Sequence, residues 1–287
     1  MAEITAVQVK ALRERTDAGM MDCKRALVEA GGDAVRATDL LRERGLAKAR
    51  GKAGRSTSEG CIVAGVSANG RRAALAEVNC ETDFVARTDQ FESLCQKIVE
   101  PILEQNPRDV NALLALSLEE GGTVNERVVG AVATLGENIQ VRRFVRLEAP
   151  SNGLIGSYIH AGGKIGSLVQ VEADEPSKPE VQTIVRNVCM HVAATNPLGV
   201  ARNDIPQEEV ERERAVLSKQ AQTEGKPAHV VEKIVAGRLG KFFREVVLLE
   251  EPLVMDPERT VEAAVKEAGA RVIAFRRFQL GEELDES

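Results

Sequence analysis

Tryptophan is absent from the chain, tyrosine occurs once and phenylalanine seven times, so aromatic residues make up only 3% of it. Proteins that hold single-stranded nucleic acids stack bases on aromatic rings, and so few rings disfavour that function. Neither sign of charge dominates: 38 Lys and Arg stand against 44 Asp and Glu, a net charge of −6 with a pI near 5.4. No overall basic field exists to draw in a phosphate backbone, which disfavours nucleic acid as a partner. Histidine occurs three times (His160, His191, His229), and the five cysteines (Cys23, Cys61, Cys80, Cys95, Cys189) include no C-x-x-C pair. That pattern signals neither a disulfide framework nor a zinc site, and it fits a reducing compartment. No run approaches the ~18 apolar residues of a membrane span. The opening residues Met1-Ala2-Glu3-Ile4-Thr5 lack the basic and apolar segments of a secretory signal. A cytoplasmic protein with no cofactor, no bound metal and no membrane contact is expected.

The 287 residues are 43% hydrophobic and 29% charged, which suits a globular chain. At ~100–150 residues per domain, two or three compact units are expected. Residues 1–54 read as an N-terminal three-helix domain ending in a basic linker. Ile4, Val7 and Leu12 mark the first helix. Asp22 is placed to cap a second carrying Cys23, Ala26 and Leu27, and Asp33 to cap a third carrying Ala37, Leu40 and Leu41. Lys48, Arg50, Lys52 and Arg55, set among Gly51 and Gly54, form the linker, either a solvated tether or an RNA contact.

Residues 60–78 and 153–171 align without a gap. Gly60/Gly153, Ile62/Ile155, Val66/Ile159, Ala68/Ala161, Gly70/Gly163, Arg71/Lys164, Leu75/Leu168 and Val78/Val171 coincide. Each segment reads as two β-runs joined by a glycine-containing turn, a β-hairpin. A helix is expected after each hairpin, over 83–105 and 178–195. A strand then closes each copy, 139–147 with Arg142-Arg143-Phe144 and 272–280 with Arg276-Arg277-Phe278. The fold class is α+β, with a duplicated core of antiparallel sheets whose halves span 55–149 and 150–287.

The second half holds an insertion, 206–246. Its two helices, 206–223 and 227–246, open at Pro206 and Pro227 and are separated by Glu224-Gly225-Lys226. Val210 and Leu217 share a face of the first, while Val231, Ile234, Val235, Leu239, Phe242 and Phe243 line the second. An antiparallel helical hairpin, a short coiled coil projecting as an arm, is expected.

Gly162-Gly163-Lys164 invites a phosphate-loop reading, but Ile165 stands where Ser or Thr is needed and Tyr158 where the first Gly is needed. A hairpin turn is the better reading, and the chain is expected to bind no nucleotide. Cys189 and His191 fall on different helix faces, and His160, His191 and His229 read as core or surface residues. No Gly-x-Ser-x-Gly elbow, His-Glu-x-x-His or acid–base carboxylate pair stands out, so no catalytic residue is assigned and the protein is expected not to be an enzyme.

The sharpest motif is Glu77-Val78-Asn79-Cys80-Glu81-Thr82-Asp83-Phe84-Val85-Ala86-Arg87, where a strand gives way to a helix. Thr82 or Asp83 suits the helix cap, and Asp83 also suits the positive end of the helix. Phe84 is either a staple buried under the corner or a side chain pushed rigidly into a partner. This stretch, together with Leu12-Arg13-Glu14-Arg15-Thr16-Asp17-Ala18-Gly19-Met20-Met21-Asp22-Cys23-Lys24-Arg25-Ala26-Leu27, resembles the bacterial translation elongation factor Ts family, the guanine-nucleotide exchange factors of elongation factor Tu. The resemblance continues through Gly136-Glu137-Asn138-Ile139, Ser157-Tyr158-Ile159-His160 and Met190-His191-Val192-Ala193-Ala194 to the closing strand. It covers essentially the whole chain.

The resemblance implies a three-helix N-terminal domain, a duplicated core and a helical-hairpin arm. It implies that Thr82, Asp83, Phe84 and Val85 form the motif that intrudes between helices of the partner's G domain and helps dislodge its Mg²⁺. Arg13, Met20 and Met21 lie in the N-terminal signature, which contacts the same G domain in the family, and His160 falls at a core position near the partner. Two departures stand out: Asp17 replaces a glycine found in many relatives, and no helical module is expected after Leu280. The expected function is exchange of guanine nucleotide on elongation factor Tu during translation elongation. The alternative is a ribosome-associated RNA-binding factor that uses residues 48–55.

Overall fold

The computed structural model describes residues 4–16, 18–119, 121–160, 162–223 and 228–283. Asp17, Ala161, the Glu224–Pro227 connection, the side chain of His229 and the last four residues lie outside them. The chain opens with helices α1 (Ala6–Thr16), α2 (Met20–Glu29) and α3 (Ala34–Arg50). They close on Val9, Leu12, Cys23, Ala26, Leu27 and Ala37, with Ile4, Leu40 and Leu41 partly buried beside them. Val7, expected in that core, is exposed, because the inward stripe of α1 runs through Val9 and Leu12, three residues apart. Asp33 caps α3 as expected, accepting from the backbone of Val35 and Arg36. Asp22 does not cap α2. Gly19 holds that position, and Asp22 lies in the first turn, where its carboxylate pairs with Arg25 and with Lys48 at 3.3 Å.

The first half of the core follows as strands β1 (Glu59–Val66) and β2 (Arg72–Cys80), helices α4 (Asp83–Ala86), α5 (Asp89–Gln105), α6 (Val110–Ala115) and α7 (Val124–Leu135), and strand β3 (Ile139–Glu148). The second half comprises β4 (Gly153–Ile159), β5 (Ile165–Ala173), α8 (Pro179–Thr195), α9 (Gln207–Thr223), α10 (Ala228–Val246), the short β6 (Pro252–Leu253) and β7 (Asp256–Thr260), α11 (Val261–Glu267) and β8 (Ala270–Gln279). The protein is thus α+β with antiparallel sheets. The sheet orders β1-β2-β3 and β4-β5-β8 repeat one another. Each middle strand slips register against its closing strand at the same aligned place, Glu77/Val78 in one and Gln170/Val171 in the other. The helix that covers each sheet, α5 or α8, also ends on a left-handed asparagine, Asn106 or Asn196. The single helix expected over 83–105 is divided: α4 stops at Ala86, and the Thr88 side chain caps a new helix by accepting from Phe91 N–H at 3.2 Å.

The residues expected to form a linker are held in place. Lys48 and Arg50 belong to α3, Lys52 donates to the carbonyl of Gly136, and Arg55 lies 3.4 Å from Glu81. Lys48, Lys52 and Arg55 therefore each meet a group of the protein while their side chains stay partly in solvent.

Strand β2 is buried on both faces. Ala73 and Leu75 meet Ile155, Leu168 and Phe278 of the second sheet, whereas Ala74, Ala76 and Val78 meet Phe91, Cys95, Ile98 and Ile102 of α5. Small residues let the layers close. At Gly166 in β5 an added Cβ would sit 2.6 Å from the Ile62 side chain. Helix α8 covers the second sheet in the same way, packing Val181, Val185 and Val188 on Val169 and Val171. The inserted helices α9 and α10 bury Leu217, Ala221, Val231, Val235 and Leu239 against each other, with Val210, Ile234, Phe242 and Phe243 partly buried. At their base the Arg202 guanidinium stacks on the Phe243 ring, 4.6 Å from its centroid.

A carboxylate lies inside the packing around β2. Glu77, at 0% exposure in β2, accepts from Arg142 at 2.9 Å, Arg143 at 2.7 Å, the Gly281 N–H at 2.9 Å and the Asn79 amide at 3.3 Å. Burial pushes its pKa up, but the Gly281 N–H and the two guanidinium groups outweigh that and hold it below the ordinary 4.5. A pKa lower in the folded than in the unfolded state contributes stability that is complete above about pH 4.5 and is lost as pH falls through the folded value. Glu77→Gln should cost on the order of 3 kcal/mol at neutral pH, since Arg142 loses its carboxylate and Arg143 keeps only Glu282. It should also flatten the loss of stability below pH 4.5. Denaturant titrations of both proteins across that range measure both effects, and an unchanged neutral stability would remove Glu77 from this role.

Candidate partner-binding site

Strand β2 ends at Cys80, and within two residues the chain turns into the one-turn helix α4. Thr82 sits at the N-cap in extended conformation, its hydroxyl oxygen accepting from Val85 N–H at 3.3 Å. The same hydroxyl donates to Glu137 Oε1 at 2.5 Å, and Glu137 Oε2 accepts the N–H groups of Glu81 at 3.1 Å and Thr82 at 3.0 Å. In return, Glu81 accepts the Asn138 N–H at 2.6 Å. The buried Asn138 amide donates to the Arg55 carbonyl at 2.9 Å. Glu137 reaches this position because Gly136 ends α7 in left-handed backbone, φ +80°, which glycine adopts without strain. Two carboxylates thus cross between the corner and the entry to β3.

The outward side of the corner has a different character. Val85 is partly buried against the core of the first half, and Asp83 pairs with Arg87 at 2.9 Å on the surface. Phe84 is 82% exposed. The reading of Phe84 as a buried staple is therefore set aside: the first turn of α4 aims Val85 inward, and the adjacent Phe84 falls on the opposite side. Leaving a phenylalanine in water forfeits about 1.5–3 kcal/mol of burial, and nothing among the described residues covers it. A single exposed apolar residue is ordinary on a flexible surface, but this one stands on a backbone clamped at both N–H groups before it.

The other expected contacts lie on separate elements. Met20 and Met21 begin α2 and are 58% and 61% exposed; Arg13 is exposed on α1. Arg13 and Met21 line a cleft of about 1270 Å³ whose far wall includes Asp89 and Leu94 of α5, just beyond the corner. Met20 and His160 do not line it. His160 is exposed at the end of β4, its Nδ1 3.1 Å from the Tyr158 hydroxyl. His191 is a core residue: it meets Glu251 Oε2 at 2.7 Å through Nε2 and accepts the Val254 N–H at Nδ1. The turn at Gly162 and Gly163 is a hairpin, closed by Gly163 N–H donating to the His160 carbonyl. Among the described residues, no group of three or more His, Cys, Asp or Glu is arranged to hold a metal ion.

Known proteins match this chain in sequence over most of its length. The family model described as Elongation factor TS matches residues 81–282, well over half of the chain. The chain belongs to the elongation factor Ts family. The Elongation factor Ts of Thioalkalivibrio sulfidiphilus is 44% identical over 282 residues, which cover 98% of this chain and 94% of that one. The protein of the same name from Desulfovibrio desulfuricans is 45% identical over 293 aligned positions, 99% of this chain and all of its own. The family match begins at Glu81, the first residue of the corner.

Glu81, Glu137 and Asn138 stand within sequence motifs, but their joint role is not visible in the sequence. Glu81 and Glu137 are 56 residues apart, and only the fold brings them together. Glu137→Ala should destabilise the protein by about 2–3 kcal/mol, since it strands two N–H donors and a hydroxyl that were bonded to a charge. Phe84→Ala should change stability by no more than about 0.5 kcal/mol, as expected for an exposed position. Chemical denaturation checks both values. A cost of about 3–5 kcal/mol for Phe84→Ala would mark it as a core residue after all.

Proposed function

We propose that the chain is a guanine-nucleotide exchange factor: it binds elongation factor Tu carrying GDP and speeds GDP release during translation elongation, making and breaking no covalent bond. The observation that carries this reading is Phe84, exposed on a corner whose backbone is clamped by Glu137. A rigid apolar wedge with an acid beside it, Asp83, suits insertion between helices of a GTPase domain and disturbance of the Mg²⁺ there. Thr82 and Val85 shape the wedge from within. Arg13, Met20 and Met21 supply a second contact from the three-helix unit, residues 1–54, and His160 a third from the core. We read the two core halves, 55–149 and 150–287, as a rigid platform for these contacts, and the α9–α10 hairpin within 206–246 as a coiled-coil arm. Lys48, Lys52 and Arg55 each have a partner in the chain, which weakens the RNA-binding alternative. No helix among the described residues is long and apolar enough to cross a membrane, consistent with work in the cytoplasm.

The mechanism is linkage. If the factor binds the empty GTPase more tightly than the GDP form, GDP must be weakened by the same factor, and GTP can then displace the factor.

Two measurements test this. Replacing Asp83 and Phe84 together by alanine should slow stimulated release of labelled GDP by roughly 30-fold, about 2 kcal/mol for loss of an interface anchor, while leaving the fold intact. Mg²⁺ bridges nucleotide phosphates to the GTPase, so chelating it and adding the factor partly duplicate one effect. Their accelerations should be less than multiplicative, and the double variant should show the smaller metal sensitivity. Strictly multiplicative effects would move the action of the factor away from the metal site.

A further inference from the structure

Two thiols in the first half of the core stand apart from the other three. Cys61, half-buried on β1, and Cys95, buried on α5, place their Sγ atoms 3.3 Å apart. A disulfide requires about 2.04 Å, so an approach of little more than about 1 Å would join them. The backbone around Cys61 is fixed: the next residue, Ile62, donates its N–H to the Gly163 carbonyl at 2.7 Å, and Gly163 lies directly against Cys61.

The five thiols also differ in reactivity. Burial raises the pKa of Cys23 and pushes Cys80 and Cys189 up to about 12, which keeps them as inert thiols. Cys61 alone is held below the ordinary value, because its hydrogen bond with Cys95 outweighs burial and the nearby Glu92 carboxylate. That same bond, followed by burial, raises Cys95 well above it. Cys61 is also the less buried of the two, so it is the sulfur that an oxidant can reach, and Cys95 lies in contact behind it.

We propose that Cys61 and Cys95 form a dithiol site for hydroperoxides, which closes to a reversible intrachain disulfide. The Cys61 sulfur attacks one oxygen of the peroxide. The O–O bond breaks, the leaving oxygen takes up a proton and departs as an alcohol, or as water from hydrogen peroxide, and Cys61 becomes a sulfenic acid. The Cys95 sulfur then attacks the Cys61 sulfur. The S–O bond breaks, the S–S bond forms, and hydroxide leaves with the Cys95 proton as water. Two thiols lose two electrons and two protons, and the peroxide gains both. The ring so closed runs from 61 to 95 and contains β2 and the whole Thr82–Val85 corner, so oxidation would fasten α5 to β1 behind Phe84. This inference is independent of the exchange reading.

The test treats the folded, reduced full chain with an equimolar amount of hydrogen peroxide, followed by alkylation, digestion without reductant and mass spectrometry. The expected result is a peptide linking Cys61 to Cys95, a fall from five titratable thiols to three, and reversal of both by dithiothreitol. In Cys95→Ser, Cys61 should instead accumulate as a sulfenic acid trapped by dimedone. Both cysteines remaining reduced at a dose that oxidises glutathione in the same solution would overturn the proposal, showing two small core residues in contact. Pairing of Cys61 with Cys80 or with a second molecule would overturn it equally.

Discussion

A carboxylate shut off from solvent, Glu77, lies in the strand that both sheets and the α5 layer share, and β2 can be buried there only because four donors converge on it. Those donors come from β2 itself, from β3 and from the segment after β8. Satisfying one charge therefore fixes the closing strand and the end of the chain relative to the central strand. The equivalent position in the second half is Gln170, which carries no charge and gathers no such set. The duplication is thus asymmetric at this position: the buried carboxylate and the corner belong to the first half alone, although Arg277 of β8 is as buried as its counterpart Arg143.

The corner inherits this rigidity. Its backbone donors are taken by Glu137, its own acid Glu81 reaches back to Asn138, and little conformational freedom remains to be lost when Phe84 meets another surface. A flexible loop bearing the same phenylalanine would forfeit much of its binding energy in being ordered. Exchange by linkage needs that energy to be spent on one state of the GTPase and not the other. A wedge that does not yield is suited to make the distinction, because a closed GDP-bound surface must move to admit it.

Much of this was legible in the sequence for identifiable reasons. The two hairpins showed because their apolar residues and turn glycines recur at one offset, and the α9–α10 seam showed because its apolar residues keep helical spacing. The break between α4 and α5 did not show, since Thr88 caps the second helix by a side-chain bond with no glycine or proline to announce it. Helix α6 is six residues long, too short for a periodic signal, and α7 was also missed. The corner was recognised as important, but whether Phe84 points in or out depends on Glu137, more than fifty residues later. The same limit hid the contact between Cys61 and Cys95 and the pairing of His191 with Glu251. Local patterns report what a residue does for its own element, whereas these contacts belong to the tertiary fold.

The central claim is that Phe84 distinguishes two states of the GTPase. Calorimetric titration of this chain and its Phe84→Ala variant into elongation factor Tu, once free of nucleotide and once saturated with GDP, tests it directly. The account predicts that the substitution weakens binding to the empty form by roughly 30-fold, an anchor's worth of about 2 kcal/mol, and weakens binding to the GDP form far less. Equal losses in both forms would show that Phe84 contributes only uniform affinity, and would contradict the account.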